Sequence, residues 1–168
     1  MRFVVVILIA LTLNSCDWAA SPKTSDGQPT AKSKALPAAE RDRLKFEPSE
    51  LETAAVREVL LRHQFKRKSS GTLQKAKALF IRIDDKDPDD VFLKRFNGHA
   101  PPVRLGSQFR DGEGLLFHVE AFKWIDSNTV EASGGCYEGN LGSSGHSYRL
   151  ERKNGAWHVT IDEMNWVS

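Results

Sequence analysis

His118 and Cys136 are the two side chains whose types and spacing suit nucleophilic chemistry. They flank Asp126-Ser127-Asn128, a short polar stretch between two segments rich in β-branched and aromatic residues. If that stretch turns the chain so that Ile125 pairs with Thr129, His118 falls directly opposite Cys136. An imidazole within reach of a thiol draws off its proton and generates the reactive thiolate. Glu120, two residues along on the same face, orients the ring. The plainer reading is a small buried cysteine packed beside Gly134 and Gly135. Register decides between the two, because a slip of one residue sends the side chains to opposite faces.

The other candidates are weaker. His63, His118, His146 and His158 contain no pair at i, i+4 and no C-x2-C frame, so neither a metal nor another cofactor is implied. Asp84, Asp85, Asp87, Asp89 and Asp90 invite calcium, but a calcium loop needs glycine sixth and a bidentate glutamate twelfth. Counted from Asp85, those positions hold Asp90 and Phe96. A helix start explains the acids better, with Asp87 as N-cap, Pro88 first in the helix and carboxylates in the first turn. The run Gly139, Asn140, Leu141, Gly142, Ser143, Ser144, Gly145 lacks the P-loop lysine and leads into a strand. No helix N-terminus therefore stands ready for phosphate. It reads as a loop at the sheet rim, the place for a ligand or partner.

The elements that must position these residues are well marked. Ser49 with Glu52 forms a capping box. Leu51, Ala55, Val56, Val59, Leu60 and His63 then fall on one helical face. Ser69-Ser70-Gly71 ends that helix. The cluster from Arg62 to Lys68 complements its dipole, or touches anionic headgroups. A strand is expected over 75–83. A short helix with Val91, Phe92 and Phe96 inward ends at Gly98. Strands follow over 103–109, 115–125, 129–138, 147–152 and 156–166. Asn154-Gly155 is a type I′ hairpin signal. It pairs Lys153 with Ala156, Leu150 with Val159 and Tyr148 with Ile161. Asp162 and His158 fall on the wet face. Trp124, Trp157 and Trp166 pack at core and edge, or line a pocket.

Helices first and then an antiparallel meander of five to six strands is the α+β class. This layout resembles the cystatin-like and NTF2-like folds, which implies a curled sheet wrapped round the first helix. Gln108-Phe109-Arg110-Asp111-Gly112 resembles the Gln-x-Val-x-Gly hairpin of the cystatin protease inhibitors, with Arg110 where that family has valine. The resemblance implies inhibition of cysteine proteases, and the competing reading is a plain Asp-Gly turn.

The first residues give an address. Arg2 is a short positive region, and Phe3 to Leu13 is apolar but for Thr12. Such a run spans about 16 Å as helix, roughly half a bilayer core, and has the length of a signal-peptide core. Leu13-Asn14-Ser15-Cys16 resembles the lipobox of bacterial lipoproteins. The resemblance implies cleavage after Ser15, lipidation of Cys16 and, from Asp17, retention in the inner membrane facing the periplasm. Several acyl chains anchor far more firmly than one.

The organisation expected is a signal peptide over 1–15, the lipidated cysteine and a tether over 16–46, and one domain over 47–168. The tether is too poor in large apolar residues to offset its ordering entropy. Loss of Arg2 takes Lys and Arg from 24 to 23 against 22 Asp and Glu. That near-neutral balance argues against nucleic acid as a partner. With Cys16 lipidated, Cys136 has no mate, and the domain must stand on its core. The function expected is a membrane-anchored binding or accessory module for an envelope protein or a small molecule, rather than an enzyme. The alternatives are a thiol-dependent enzyme or redox protein using Cys136 and His118, and a cystatin-like inhibitor.

Overall fold

Ser49 caps the first helix as its spacing predicts, its Oγ accepting the Glu52 N–H at 3.1 Å. Helix α1 runs Glu50–Arg67 in the computed structural model, which describes residues 46–68, 70–139 and 142–168. The leader, Cys16, Asp17 and the tether through residue 45 lie outside the described residues, as do Ser69, Asn140 and Leu141. Phe46, expected at the end of the tether, lies against Trp124 with ring centroids 5.2 Å apart. Helix α1 buries Val56, Leu60, Leu61, Gln64 and Phe65. The buried stripe is rotated from the one expected. Leu61 and Phe65 join it, and Leu51 leaves it at 72% exposure. Among the described residues no helix is long and apolar enough to cross a membrane.

Beyond α1 several boundaries move. A short helix α2, Ser70–Lys75, stands where the strand was expected to begin, and strand β1 is Ala78–Ile83. Helix α3, Asp90–Leu93, starts later than predicted because Asp89 is its cap, accepting the Phe92 N–H at 2.7 Å. Asp87 instead accepts the Ser107 N–H at 2.8 Å, a bond that holds its carboxyl below the usual range. Phe92 and Phe96 are buried as expected, but Val91 is exposed. Strand β2 is only Val103–Leu105, because Gly106–Gln108 turn into a 3-10 helix. A Cβ at Gly106 would strike Arg82 and the Ile81 carbonyl.

The sheet is completed by β3, Gly114–Asp126, β4, Thr129–Tyr137, β5, Ser143–Lys153, and β6, Ala156–Val167. Its order is β2-β1-β3-β4-β5-β6. Strand β1 runs parallel to both β2 and β3, and the later pairs are antiparallel. The fold is α+β, as expected, but the sheet is mixed rather than a pure meander. Alternation tells which residues face the core and not which way the neighbour runs; the parallel β1–β2 pair needs the long crossover that α3 occupies. Gln108–Gly112 joins β2 to β3, which are separated by β1, so this turn does not close a hairpin. Leu79, Ile81, Phe117, Val119, Val130 and Leu150 pack on α1, all fully buried. Each such side chain contributes about 1.5–3 kcal/mol relative to exposure.

Candidate functional site

The expected pairing of His118 with Cys136 does not form. Asp126 pairs with Thr129, and two register shifts within β3 bring Phe117 opposite Cys136 and His118 opposite Gly135. One shift falls between Glu120 and Lys123, where Ala121 has φ 48°. His118 and Glu120 therefore share the outer face, 3.8 Å apart, while Cys136 faces α1. Burial pushes the Cys136 thiol up to about 12, against the opposing pull of the Lys68 ammonium. It is a protonated thiol at neutral pH, and among the described residues no imidazole is hydrogen-bonded to it. The glycine-rich segment is also shorter as a loop than expected. Ser143, Ser144 and Gly145 belong to β5, with Ser144 opposite Cys136 and Gly145 opposite Gly135. Among the described residues Glu138, Gly139 and Gly142 lie between β4 and β5, with the Glu138 N–H donating to the Gly142 carbonyl at 2.8 Å and positive φ at Gly139 and Gly142.

The residues that do converge are on β5, β6 and the last two turns of α1. The hairpin keeps its predicted register from Lys153–Ala156 to Leu150–Val159. Beyond Val159 the register shifts, so that Arg149 meets Ile161 and Tyr148 meets Asp162. A bulge inserts one residue and reverses the facing of the residues beyond it. Ile161 is therefore turned outward, 41% exposed, and Asp162 inward, its side chain 9% exposed. This corrects the expected pairing of Tyr148 with Ile161 and the expected wet position of Asp162. A second shift beside Gly145 returns Val167 to the inner face opposite Ser144.

Asp162 is the centre of the polar cluster. His63 Nε2 donates to its Oδ2 at 2.7 Å and His146 Nδ1 to its Oδ1 at 2.7 Å. Arg67 Nε stands 3.3 Å from Oδ2. Burial works against the carboxylate charge, but the two imidazole bonds and the guanidinium more than offset it, so the Asp162 carboxyl sits below its ordinary range. The Tyr148 ring stacks on His146, centroids 5.7 Å apart and planes 10° from parallel, and meets His63 edge-on. Burial pushes the Tyr148 phenol up, so it stays neutral. One turn on, Lys68 donates to Glu138. Burial opposes the Lys68 charge, yet the bond to Glu138 raises its pKa overall.

Beside this cluster lies an open cavity of about 240 Å³ between the end of α1 and the inner face of β4–β6. Its walls are Gln64 and Arg67 from α1, Lys68 just beyond it, and Phe117, Cys136, Ser144, His146, Tyr148, Met164 and Val167 from the sheet. Gln64 Nε2 donates to the His118 carbonyl at 3.2 Å. That bond fixes the amide orientation, and its Oε1 is left buried with no partner. Met164 and Val167 form an exposed apolar rim. A wider groove of about 730 Å³ runs between the start of α1 and residues 83–95. Its basic groups are largely engaged, Arg57 with Asp84 and Arg95 with Glu58.

Of the candidates read from the sequence, Cys136 and Ser144 line the cavity, whereas His118 and Glu120 lie on the far side of the sheet. Among the described residues no group of three His, Cys, Asp or Glu is arranged to hold a metal ion. His63 and His146 bind separate oxygens of Asp162, and His158 is on the outer face. In the sequence Gln64 and Arg67 stand out only as members of the basic cluster 62–68, and Asp162 only as a residue of the wet face. The available signal was the break in alternation at Thr160-Ile161-Asp162-Glu163, where two acids run together after a regular strand. Comparison with protein-family models, with curated proteins and with solved structures finds no match.

Proposed function

We propose that this chain is a lipoprotein of the bacterial envelope, lipidated on Cys16, whose domain is a binding module working at the cavity between α1 and β4–β6. The observation that carries the binding reading is Gln64. It is 3% exposed, its Oε1 lacks a partner, and it forms part of the cavity wall. A buried acceptor left unmade costs about 1–3 kcal/mol, and a bound donor removes that cost. An apolar rim around a few convergent polar groups is the usual make-up of a small-molecule site. The anchor rests on the lipobox-like leader, and Asp17 favours the inner membrane.

Two measurements test the two halves. Mass spectrometry of membrane fractions is expected to find acylated Cys16 at the mature N-terminus and to lose it in Cys16→Ala; an unmodified Cys16 overturns the anchor. For the domain, the detergent-solubilised full chain is titrated with a library of fragments of about a dozen heavy atoms. Ligands are expected whose binding disappears in Ser144→Phe, which fills the cavity. Binding unaffected by that substitution, or no binding at all, overturns the site.

A further inference from the structure

On that reading of the cavity as a binding site, we infer its ligand class: a small carboxylate with an apolar body and a hydrogen-bond donor at the end opposite the carboxylate. The inner end is set by Gln64. Its Nε2 gives one hydrogen to the His118 carbonyl, and its Oε1 is a buried acceptor with no hydrogen-bond partner. Only an N–H or O–H satisfies it. The outer end is set by Arg67. Its Nε faces Asp162, and its two terminal nitrogens have no partner among the described residues. A guanidinium with a free fork matches a carboxylate in two parallel bonds. The neighbouring groups are engaged, Lys68 with Glu138, and Asp162 as acceptor of bonds from His63 and His146. The unspent recognition is therefore that fork.

Size and filling follow from the same residues. Gln64 and Arg67 stand three apart on α1, which places their Cβ atoms about 5–6 Å apart. A ligand bridging acceptor and fork has its two polar ends separated by about the length of one six-membered ring. The cavity holds roughly eight waters, enough for such a ring with its substituents. Phe117, Tyr148, Met164 and Val167 supply apolar contact for the ring.

Three probes of nearly equal size separate the contributions. 4-Hydroxybenzoate carries both ends, benzoate lacks the donor, and 4-hydroxybenzamide lacks the charge. Calorimetric titration of the detergent-solubilised full chain is expected to show 4-hydroxybenzoate binding about tenfold more tightly than either of the others, the step expected for one charge-assisted bond. In Gln64→Leu the advantage over benzoate disappears while the advantage over the amide remains. In Arg67→Gln the reverse holds. Thermal unfolding of each variant identifies one that fails to fold; Gln64→Met and Arg67→Lys then replace it, with the same loss of selectivity expected. Equal affinity for all three probes, or selectivity that survives both substitutions, overturns the inference. If none of the three binds, the inference fails, and the fragment library decides the broader reading. Neutral or cationic fragments lost in Ser144→Phe leave a binding site of another chemistry, and no fragment at all removes both.

Discussion

Two faces of α1 end in opposite chemistry. On one, Phe65 meets Phe96, Phe117 and His99 with ring centroids 4.8 to 5.8 Å apart, a close-packed aromatic cluster over β1 and β3. On the other, His63 and Arg67 reach Asp162 across the sheet, and Gln64 leaves an acceptor unbonded. The aromatic side is held by non-directional burial, which tolerates imprecise placement. The polar side is held by a few bonds that exist only because β6 is out of step by one residue. The difference teaches that the two sides of one helix can differ in what a substitution breaks.

The largest effect is expected on the apolar side. Phe65→Ala should cost about 3–5 kcal/mol in chemical denaturation, while leaving the His63–Asp162–His146 contacts in place. A cost below 1 kcal/mol would mean that the aromatic cluster is not the anchor of α1. On the polar side, Asp162→Ala should cost about 1–3 kcal/mol, because two imidazoles and a guanidinium lose their acceptor. Asp162→Asn sharpens this with pH. The folded carboxyl sits below its ordinary value of 3.8, so the unfolded chain takes up its proton first as the pH falls. Its stabilisation is present above that value and is lost below it. The wild type should therefore lose more stability than Asp162→Asn between pH 5 and pH 3, measured by urea midpoints; parallel curves would refute the assignment. At the periphery, Arg57→Ala removes an exposed pair with Asp84 and should cost no more than about 1 kcal/mol.

That contrast also marks what was legible in the sequence. Ser49 and Glu52 announced α1, and Asn154-Gly155 fixed the β5–β6 register as far as Leu150 and Val159. Both are local signals, set within a few residues. The parallel pairing of β1 was not legible, because Leu79, Phe80 and Ile81 read the same beside a parallel neighbour or an antiparallel one. The site was less legible still. Expecting His118 opposite Cys136 assumed an unbroken hairpin, and the shifts in β3 reversed it. Expecting Asp162 on the wet face assumed an unbroken β6. A bulge is the insertion of one residue into a regular pattern, and its position is set by packing across the sheet, which a single strand's sequence does not carry.

Gly145 sits between Ser144 and His146, which face the cavity, and on the opposite side a Cβ there would strike the indole of Trp166. The cavity wall is one backbone thick at this point. An occupant pressing on the inner wall is thus separated by a single peptide layer from a half-exposed fluorophore on the outer one. If the cavity binds a ligand as proposed, Trp166 emission, read in a chain whose other three tryptophans are replaced by phenylalanine, is expected to report its occupancy.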